Sequence, residues 1–204
     1  MKLAALFSGG KDSTYAIHLA KKSGYSVDVL LTIFPHSDES HLLHYPNIRF
    51  TSLQSESMKI PQLTEQLTST DAKNESEALD KLIISAKENY SIDGIVHGGI
   101  LSEYQKDNFS RICEKNNLKI VSPLWNMEPE SYMNELLSEN FEYVISTVSS
   151  DGLNDSWLGR TIQENDLIKL KKLQQKFDFN LNFEGGEAET FVTNCPLFEK
   201  PIII

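Results

Sequence analysis

The chemistry-bearing run of this chain is Leu6-Phe7-Ser8-Gly9-Gly10-Lys11-Asp12-Ser13, and its residue types suit an anion. Two successive glycines let the backbone turn sharply and come close to a ligand. The first N–H groups of a helix starting there point at that ligand along a favourable dipole. Lys11 adds a mobile positive charge, and Ser8 and Ser13 add hydroxyl donors. Asp12 repels a bare phosphate, so its expected task is to hold a divalent cation bridging to one. The run reads as a phosphate cradle. Its flanks agree. Leu3 to Phe7 is short and continuously apolar, as in a strand buried on both faces of a parallel sheet. From Asp12 onward, Tyr15, Ala16, Leu19 and Ala20 fall on one helical face before Lys21, Lys22 and Gly24 end it.

The loop is not a Walker A motif, because Asp12 follows Gly10-Lys11 where Ser or Thr is needed and no glycine lies five positions before Gly10. A G-x-G-x-x-G dinucleotide fingerprint is absent too. Taken alone, G-G-K-D would be an ordinary strand-to-helix turn. With these flanks, the residues from Ser8 to Ser13 resemble the S-G-G-x-D-S loop of the PP-loop ATP pyrophosphatases. Those enzymes cleave ATP between its α- and β-phosphates and hold the departing pyrophosphate in that loop.

The elements that must position the loop alternate along the chain. Val27 to Phe34 is a second buried strand, ending in Pro35 and a polar segment with His36, His41 and His44. That segment holds no H-x-x-x-H pair and no cysteine, so a loop is expected there rather than a metal site. Ile48 to Leu53 is expected as a third, shorter strand and Thr68 to Asn74 as a flexible connection. Helical order resumes at Glu75, with Ala78, Leu79, Leu82, Ile83 and Ala86 as its stripe. Gly94 to His97 is strand-like and runs into Gly98-Gly99. A helix from Glu103 to Asn116, a strand from Lys119 to Ser122, a helix around Glu130 to Leu137, a strand from Glu142 to Val148 and a helix from Glu164 to Phe177 follow. This alternation predicts an α/β fold: a doubly wound, mostly parallel sheet with helices on both faces and ligands at the C-terminal strand ends. The 204 residues suit one sizeable domain, 1–122, and a smaller second one, 123–204.

Nineteen basic and 29 acidic residues give a formal charge of −10, which argues against a nucleic-acid surface. Lys169, Lys171, Lys172 and Lys176 are locally basic, but Leu167, Leu170, Leu173 and Phe177 recur as a core stripe, so these lysines read as a solvated face. Cys113 and Cys195 lie far apart without a C-x-x-C, which suits a reducing cytosol. No signal-peptide pattern and no apolar run of membrane-spanning length is present, so a cytoplasmic protein without a membrane partner is expected.

Three further stretches stand out. They are Gly98-Gly99-Ile100-Leu101-Ser102-Glu103-Tyr104-Gln105-Lys106, then Asp151-Gly152-Leu153 through Ser156-Trp157-Leu158-Gly159-Arg160, then Glu184-Gly185-Gly186-Glu187-Ala188-Glu189-Thr190 on to Phe198. With the phosphate loop, and in this order, they resemble the diphthine–ammonia ligase branch of the PP-loop ATPases over nearly the whole chain. The chain departs from that pattern at Phe183, where the family usually has glycine, and at Ala188, where it has an aromatic residue. Both positions touch the acceptor pocket the resemblance implies, so they bear on the identity of the acceptor. The chain ends soon after Pro196-Leu197-Phe198, similar to the minimal, archaeal-type members without appended domains.

The resemblance implies a HUP-type, Rossmann-like nucleotide domain with a smaller C-terminal α/β domain closing over the acceptor. ATP would adenylate a carboxylate, pyrophosphate would leave, and free ammonia would attack the acyl-adenylate, the acceptor being diphthine on translation elongation factor 2. By the same resemblance Ser8, Gly9, Gly10 and Ser13 bind the β- and γ-phosphates, Lys11 offsets charge as the α–β bond breaks, and Asp12 positions Mg2+. Gly98 and Gly99 would admit the ribose or α-phosphate, although the dipeptide alone fits a tight turn equally well. Ser102 would join the nucleotide site or simply cap a helix, and Tyr104 and Gln105 would be catalytic. Arg160 is expected to recognise a phosphate or carboxylate, with Trp157 in the core. Gly185, Gly186, Glu187 and Glu189 would form the acceptor site. The two glutamates share a face if extended and could bind the trimethylammonium of diphthine or guide ammonia, the plainer reading being an exposed acidic turn.

Other functions fit less well. A tRNA-modifying PP-loop ligase or sulfurtransferase would need a basic surface and usually paired cysteines, and a glutamine-dependent amidotransferase would need a glutaminase domain before Met1-Lys2. An ATP-binding sensor would need neither the Lys11-Asp12 pair nor the second glycine–glutamate motif. No direct nucleic-acid contact is expected, and a homo-oligomer stays open.

Overall fold

The computed structural model describes residues 1–35, 47–67, 69 and 72–204, with the backbone alone at residues 72 and 103–105. His36, His41 and His44 lie outside the described residues. Five strands, β1 (Lys2–Leu6), β2 (Ser26–Phe34), β3 (Gln62–Gln66), β4 (Gly94–Val96) and β5 (Lys119–Val121), form one all-parallel sheet in the order β3-β2-β1-β4-β5. Helices α1 (Lys11–Lys22), α2 (Thr51–Met58), α3 (Ala72–Tyr90), α4 (Glu103–Lys115), α5 (Pro129–Ser138) and α6 (Glu164–Phe177) surround it. Strands β6 (Glu142–Val148) and β7 (Ala188–Asn194) pair antiparallel as a separate ribbon.

Alternation along the strands sorts the core into two layers. Leu3, Ala5, Leu30 and Val96 pack with α1, α5, α6 and the β6–β7 ribbon through Tyr15, Ile17, Tyr132, Leu136, Leu170 and Val192. Ala4, Val29, Leu31, Ile33 and Ile95 pack with α3 and α4 through Leu79, Leu82, Ile83, Phe109 and Ile112. Helices therefore cover both faces, which is why the central strands are apolar throughout. Residues 1–122 and 123–204 both contribute to the first layer.

The third strand is not where the sequence puts it. Ile48 to Leu53 forms a 3-10 turn and the start of α2, because Ile48, Thr51, Gln54 and Met58 are the buried positions and their spacing of three and four is helical. The strand is Gln62–Gln66, which among the described residues is an edge strand paired with β2, and its polar residues hide it from a search for apolar runs. Helix α3 begins at Ala72, three residues before the expected Glu75 and inside the expected connection. Trp157, Leu167 and Leu170 are buried, Cys113 and Cys195 are buried free thiols, and the expected limits of β6 and α6 match. No helix among the described residues is long and apolar enough to cross a membrane.

Candidate active site

The winding of the sheet reverses between β1 and β4: β2 and β3 lie to one side, β5 to the other. A parallel sheet opens a crevice at such a point, beyond the C-terminal strand ends. The Ser8–Gly10 loop leaves β1 there, and the segment 97–102 leaves β4 beside it.

The phosphate loop is clamped from three sides. Gly9 is left-handed (φ +80°), and a Cβ on it would strike the Gln54 amide oxygen and the Thr51 methyl. The buried Gln54 donates from Nε2 to the carbonyls of Gly9 (2.9 Å) and Val192 (2.7 Å), and Val192 N–H donates to Gly9 O at 3.0 Å. Thr190 Oγ accepts from Lys11 N–H at 3.1 Å. Within the loop, the Ser8 and Ser13 hydroxyls lie 3.2 Å apart and Gly10 O accepts from Thr14 Oγ at 2.8 Å. Helix α1 opens with Asp12 in its first turn and closes with Lys21 and Lys22, the arrangement its dipole favours.

Lys11 is not the mobile charge its type suggests. Its side chain is 2% exposed, with Nζ donating to Asn182 O (2.6 Å), Asp12 Oδ1 (2.9 Å) and Asp12 Oδ2 (3.1 Å) and lying over the rings of Phe183 and Tyr132. A buried ammonium needs such partners, and the C-terminal turn supplies one of them. Tyr132 Oη donates to Asp12 Oδ1 at 2.5 Å, and burial, then the charge of Asp12, holds that phenol well above the usual tyrosine range.

The segment after β4 is equally constrained. A Cβ on Gly98 would sit 2.5 Å from the Asp12 carbonyl carbon, so this glycine lets α1 and β4 approach. Gly99 N–H donates to His97 Nδ1 at 3.1 Å, and His97 Nε2 meets Ser122 Oγ at 2.6 Å. Burial pushes the His97 imidazole down to about 4, keeping it neutral. Glu184 Oε1 accepts from Ile100 N–H (3.2 Å) and Leu101 N–H (3.1 Å). Burial chiefly, with the charge of Asp12, pushes the Glu184 carboxyl above its usual range against the pull of these amides.

Residues 182–192 thus touch both the Ser8–Gly10 loop and the segment after β4. Residues 1–120 match the diphthamide synthase N-terminal domain, and residues 128–204 match the diphthamide synthase C-terminal domain. The human diphthine–ammonia ligase is 33% identical over 224 residues, aligning with all of this chain and 83% of that protein. The rat protein of the same name is 32% identical over 222 residues with the same coverage. The diphthine–ammonia ligase of Schizosaccharomyces pombe is 30% identical over 219 residues, and there the chain spans 36% of the longer protein. The chain belongs to the diphthine–ammonia ligase family. It is an enzyme of that ligase type.

In this ligase Ser8, Gly9, Gly10, Lys11, Asp12, Ser13 and Gly98 lie together at the crevice, and Gly99 is fixed next to them by His97. Ser102 precedes α4 and its carbonyl accepts from Lys106 N–H, which is the N-cap position. Tyr104 and Gln105 fall in the first turn of α4, their side chains outside the described residues. Arg160 is engaged elsewhere: its guanidinium pairs with the buried Asp166 in the first turn of α6 and lies over Trp157. Glu187 braces its own turn, accepting from Asn180 N–H (2.8 Å), Asn180 Nδ2 (2.8 Å) and Gly185 N–H (2.9 Å), and Gly186 is left-handed. Glu189 lies on β7 opposite Thr147.

Tyr132, Asn182, Gln54, Thr190 and Glu184 were not singled out from sequence as site residues. Tyr132 lies only within the helix expected around Glu130 to Leu137, and only Glu184 and Thr190 lie in a marked motif. Phe183, the departure from the family's glycine, is left-handed (φ +63°), a conformation a bulky side chain rarely adopts, and its ring packs over the Lys11 ammonium. Ala188, the second departure, is buried in the core.

Proposed function

We propose that this ligase adenylates the carboxylate of diphthine on elongation factor 2 with ATP and amidates it with ammonia, releasing AMP and pyrophosphate. A carboxylate is a poor acyl donor until one oxygen becomes part of a good leaving group. One carboxylate oxygen attacks the α-phosphorus and pyrophosphate departs. The ammonia lone pair then attacks the acyl carbon, AMP leaves with the C–O electron pair, and the nitrogen sheds a proton.

The observation that carries this reading is the convergence, at the switch point, of the phosphate loop with residues 182–192. The donors around the loop fit an anion: the Ser8 and Ser13 hydroxyls, the α1 N-terminus and Lys11, and the neighbouring Asn182 Nδ2 amide is buried with no hydrogen-bond partner among the described residues. Asp12 would hold Mg2+, whose charge would be offered to the departing pyrophosphate. Among the described residues no group of three or more His, Cys, Asp or Glu is placed to hold a metal ion, which suits a magnesium drawing its other ligands from phosphates and water. Residues 123–204 would supply the acceptor side, where Gly185, Gly186 and Glu187 form a braced turn, with Glu189 on the adjoining strand.

Product analysis tests the reading. AMP and pyrophosphate should accumulate together, dependent on the acceptor and on ammonia, and Lys11→Ala should lower turnover by roughly 100- to 1,000-fold in protein shown to be folded by its circular dichroism. ADP and phosphate as main products would overturn it.

A further inference from the structure

We propose that Tyr132 is a positioning residue for Asp12, its hydroxyl holding the carboxylate so that one oxygen keeps an open acceptor site for a divalent cation; this rests on the nucleotide-site reading above. Tyr132 comes from α5, 120 residues beyond Asp12, and is completely buried. Its ring lies 5.8 Å from that of Tyr15 and 5.7 Å from Lys11 Nζ, so the phenol has one accessible orientation. That orientation places Oη 2.5 Å from Asp12 Oδ1. Lys11 Nζ reaches Oδ1 and Oδ2 at 2.9 and 3.1 Å. Oδ1 therefore receives two donors and Oδ2 one.

The hydrogen bond matters because the terminal torsion of an aspartate is soft, so a carboxylate with no directional partner turns its plane readily. Lys11 spans both oxygens and favours neither. The Tyr132 hydroxyl gives Oδ1 its second donor and so leaves Oδ2 the more open acceptor for the cation. The side chain of Asp12 is one-third exposed, which leaves it an open edge, whereas Tyr132 has none and so touches neither nucleotide nor metal. Groups that orient a metal-binding carboxylate from behind typically change metal affinity by about 10- to 100-fold when removed.

The test is equilibrium ATP binding by calorimetry, titrated with Mg2+, on wild type, Tyr132→Phe, Tyr15→Phe and Asp12→Asn, with melting temperatures measured without ligand. Tyr15 is the control because it sits in the same layer and its hydroxyl bonds Glu135, not Asp12. Tyr132→Phe should raise the Mg2+ concentration for half-maximal enhancement of ATP binding by about 10-fold. Its magnesium-free ATP affinity should stay at the wild-type level, and Tyr15→Phe should keep the wild-type magnesium midpoint. A wild-type midpoint in Tyr132→Phe, with or without a lower melting temperature, would give Tyr132 a purely structural role and overturn the proposal. If that happens while Asp12→Asn loses its magnesium dependence, the nucleotide-site reading survives. An Asp12→Asn protein with wild-type magnesium dependence would overturn both.

Discussion

The Lys11 ammonium and the His97 imidazole illustrate opposite ways of burying a base. Lys11 has the Asp12 carboxylate, the Asn182 carbonyl and two aromatic faces around it. Among the described residues His97 has Gly99 N–H and Ser122 Oγ, both neutral, as hydrogen-bond partners. Gly99 N–H donates to Nδ1, so the ring proton sits on Nε2 and is donated to Ser122 Oγ. Burial pushes this imidazole from the usual 6.5 down to about 4. Between those values the unfolded chain takes up a proton that the folded chain refuses, so stability is full above pH 6.5 and is lost as pH falls toward 4. The whole window is worth roughly 3 kcal/mol. His97→Gln, which cannot titrate, should show a shallower fall in unfolding free energy between pH 7 and pH 4.5 in urea titrations. An equally steep fall would place the acid sensitivity elsewhere.

At the scale of elements, the site is made by three close approaches: α1 against the end of β4, α2 against the phosphate loop, and β7 against both. The first depends on Gly98, where any Cβ meets the backbone of Asp12 and Ser13 within 2.7 Å. Gly98→Ala must push α1 away from β4, because the obstruction is main chain rather than the end of a flexible side chain. It should cost about 1–3 kcal/mol of stability and weaken ATP binding in the same protein, read by denaturant titration and calorimetry. Unchanged ATP affinity would separate the Gly98 approach from the nucleotide site. Most of these elements are legible in the sequence, since β1, β2, β4 and β6 are apolar runs and α3 and α6 carry regular stripes. Strand β3 is not, because an edge strand with polar side chains has no burial pattern to display. Segment 48–53 misleads for the complementary reason: Ile48, Phe50 and Leu53 are apolar, but Phe50 and Leu53 are exposed on a helical turn.

At the scale of the molecule, residues 1–122 and 123–204 share a core. Leu3, Ala5, Tyr15 and Ile17 pack in the same layer as Tyr132, Leu136, Leu170 and Val192. Removing residues 123–204 would expose that face of the sheet and leave the Gly9 carbonyl without Val192 and Lys11 without Asn182. A fragment of residues 1–122 should therefore lack a cooperative thermal transition by near-ultraviolet circular dichroism and should not bind ATP. A fragment that melts sharply and retains nucleotide would show the sheet to be self-sufficient.

The sequence alone determined the glycine turn after β1, the alternation that builds a parallel sheet, the order of the four motifs and, through them, the family. These are local features: glycine pairs, short apolar runs and helical stripes act over a few residues and leave their pattern in order along the chain. The tertiary structure decided which groups share a site. Tyr132, Asn182 and Gln54 lie 120, 171 and 45 residues from the loop residues they touch, and nothing local marks a buried tyrosine as a partner of an aspartate. It also decided which marked residues are spoken for. Arg160 is paired with Asp166 and Glu187 with the amides of its own turn, because a charge brought into partly buried surroundings takes the nearest complementary groups, and only the folded chain determines which groups are near.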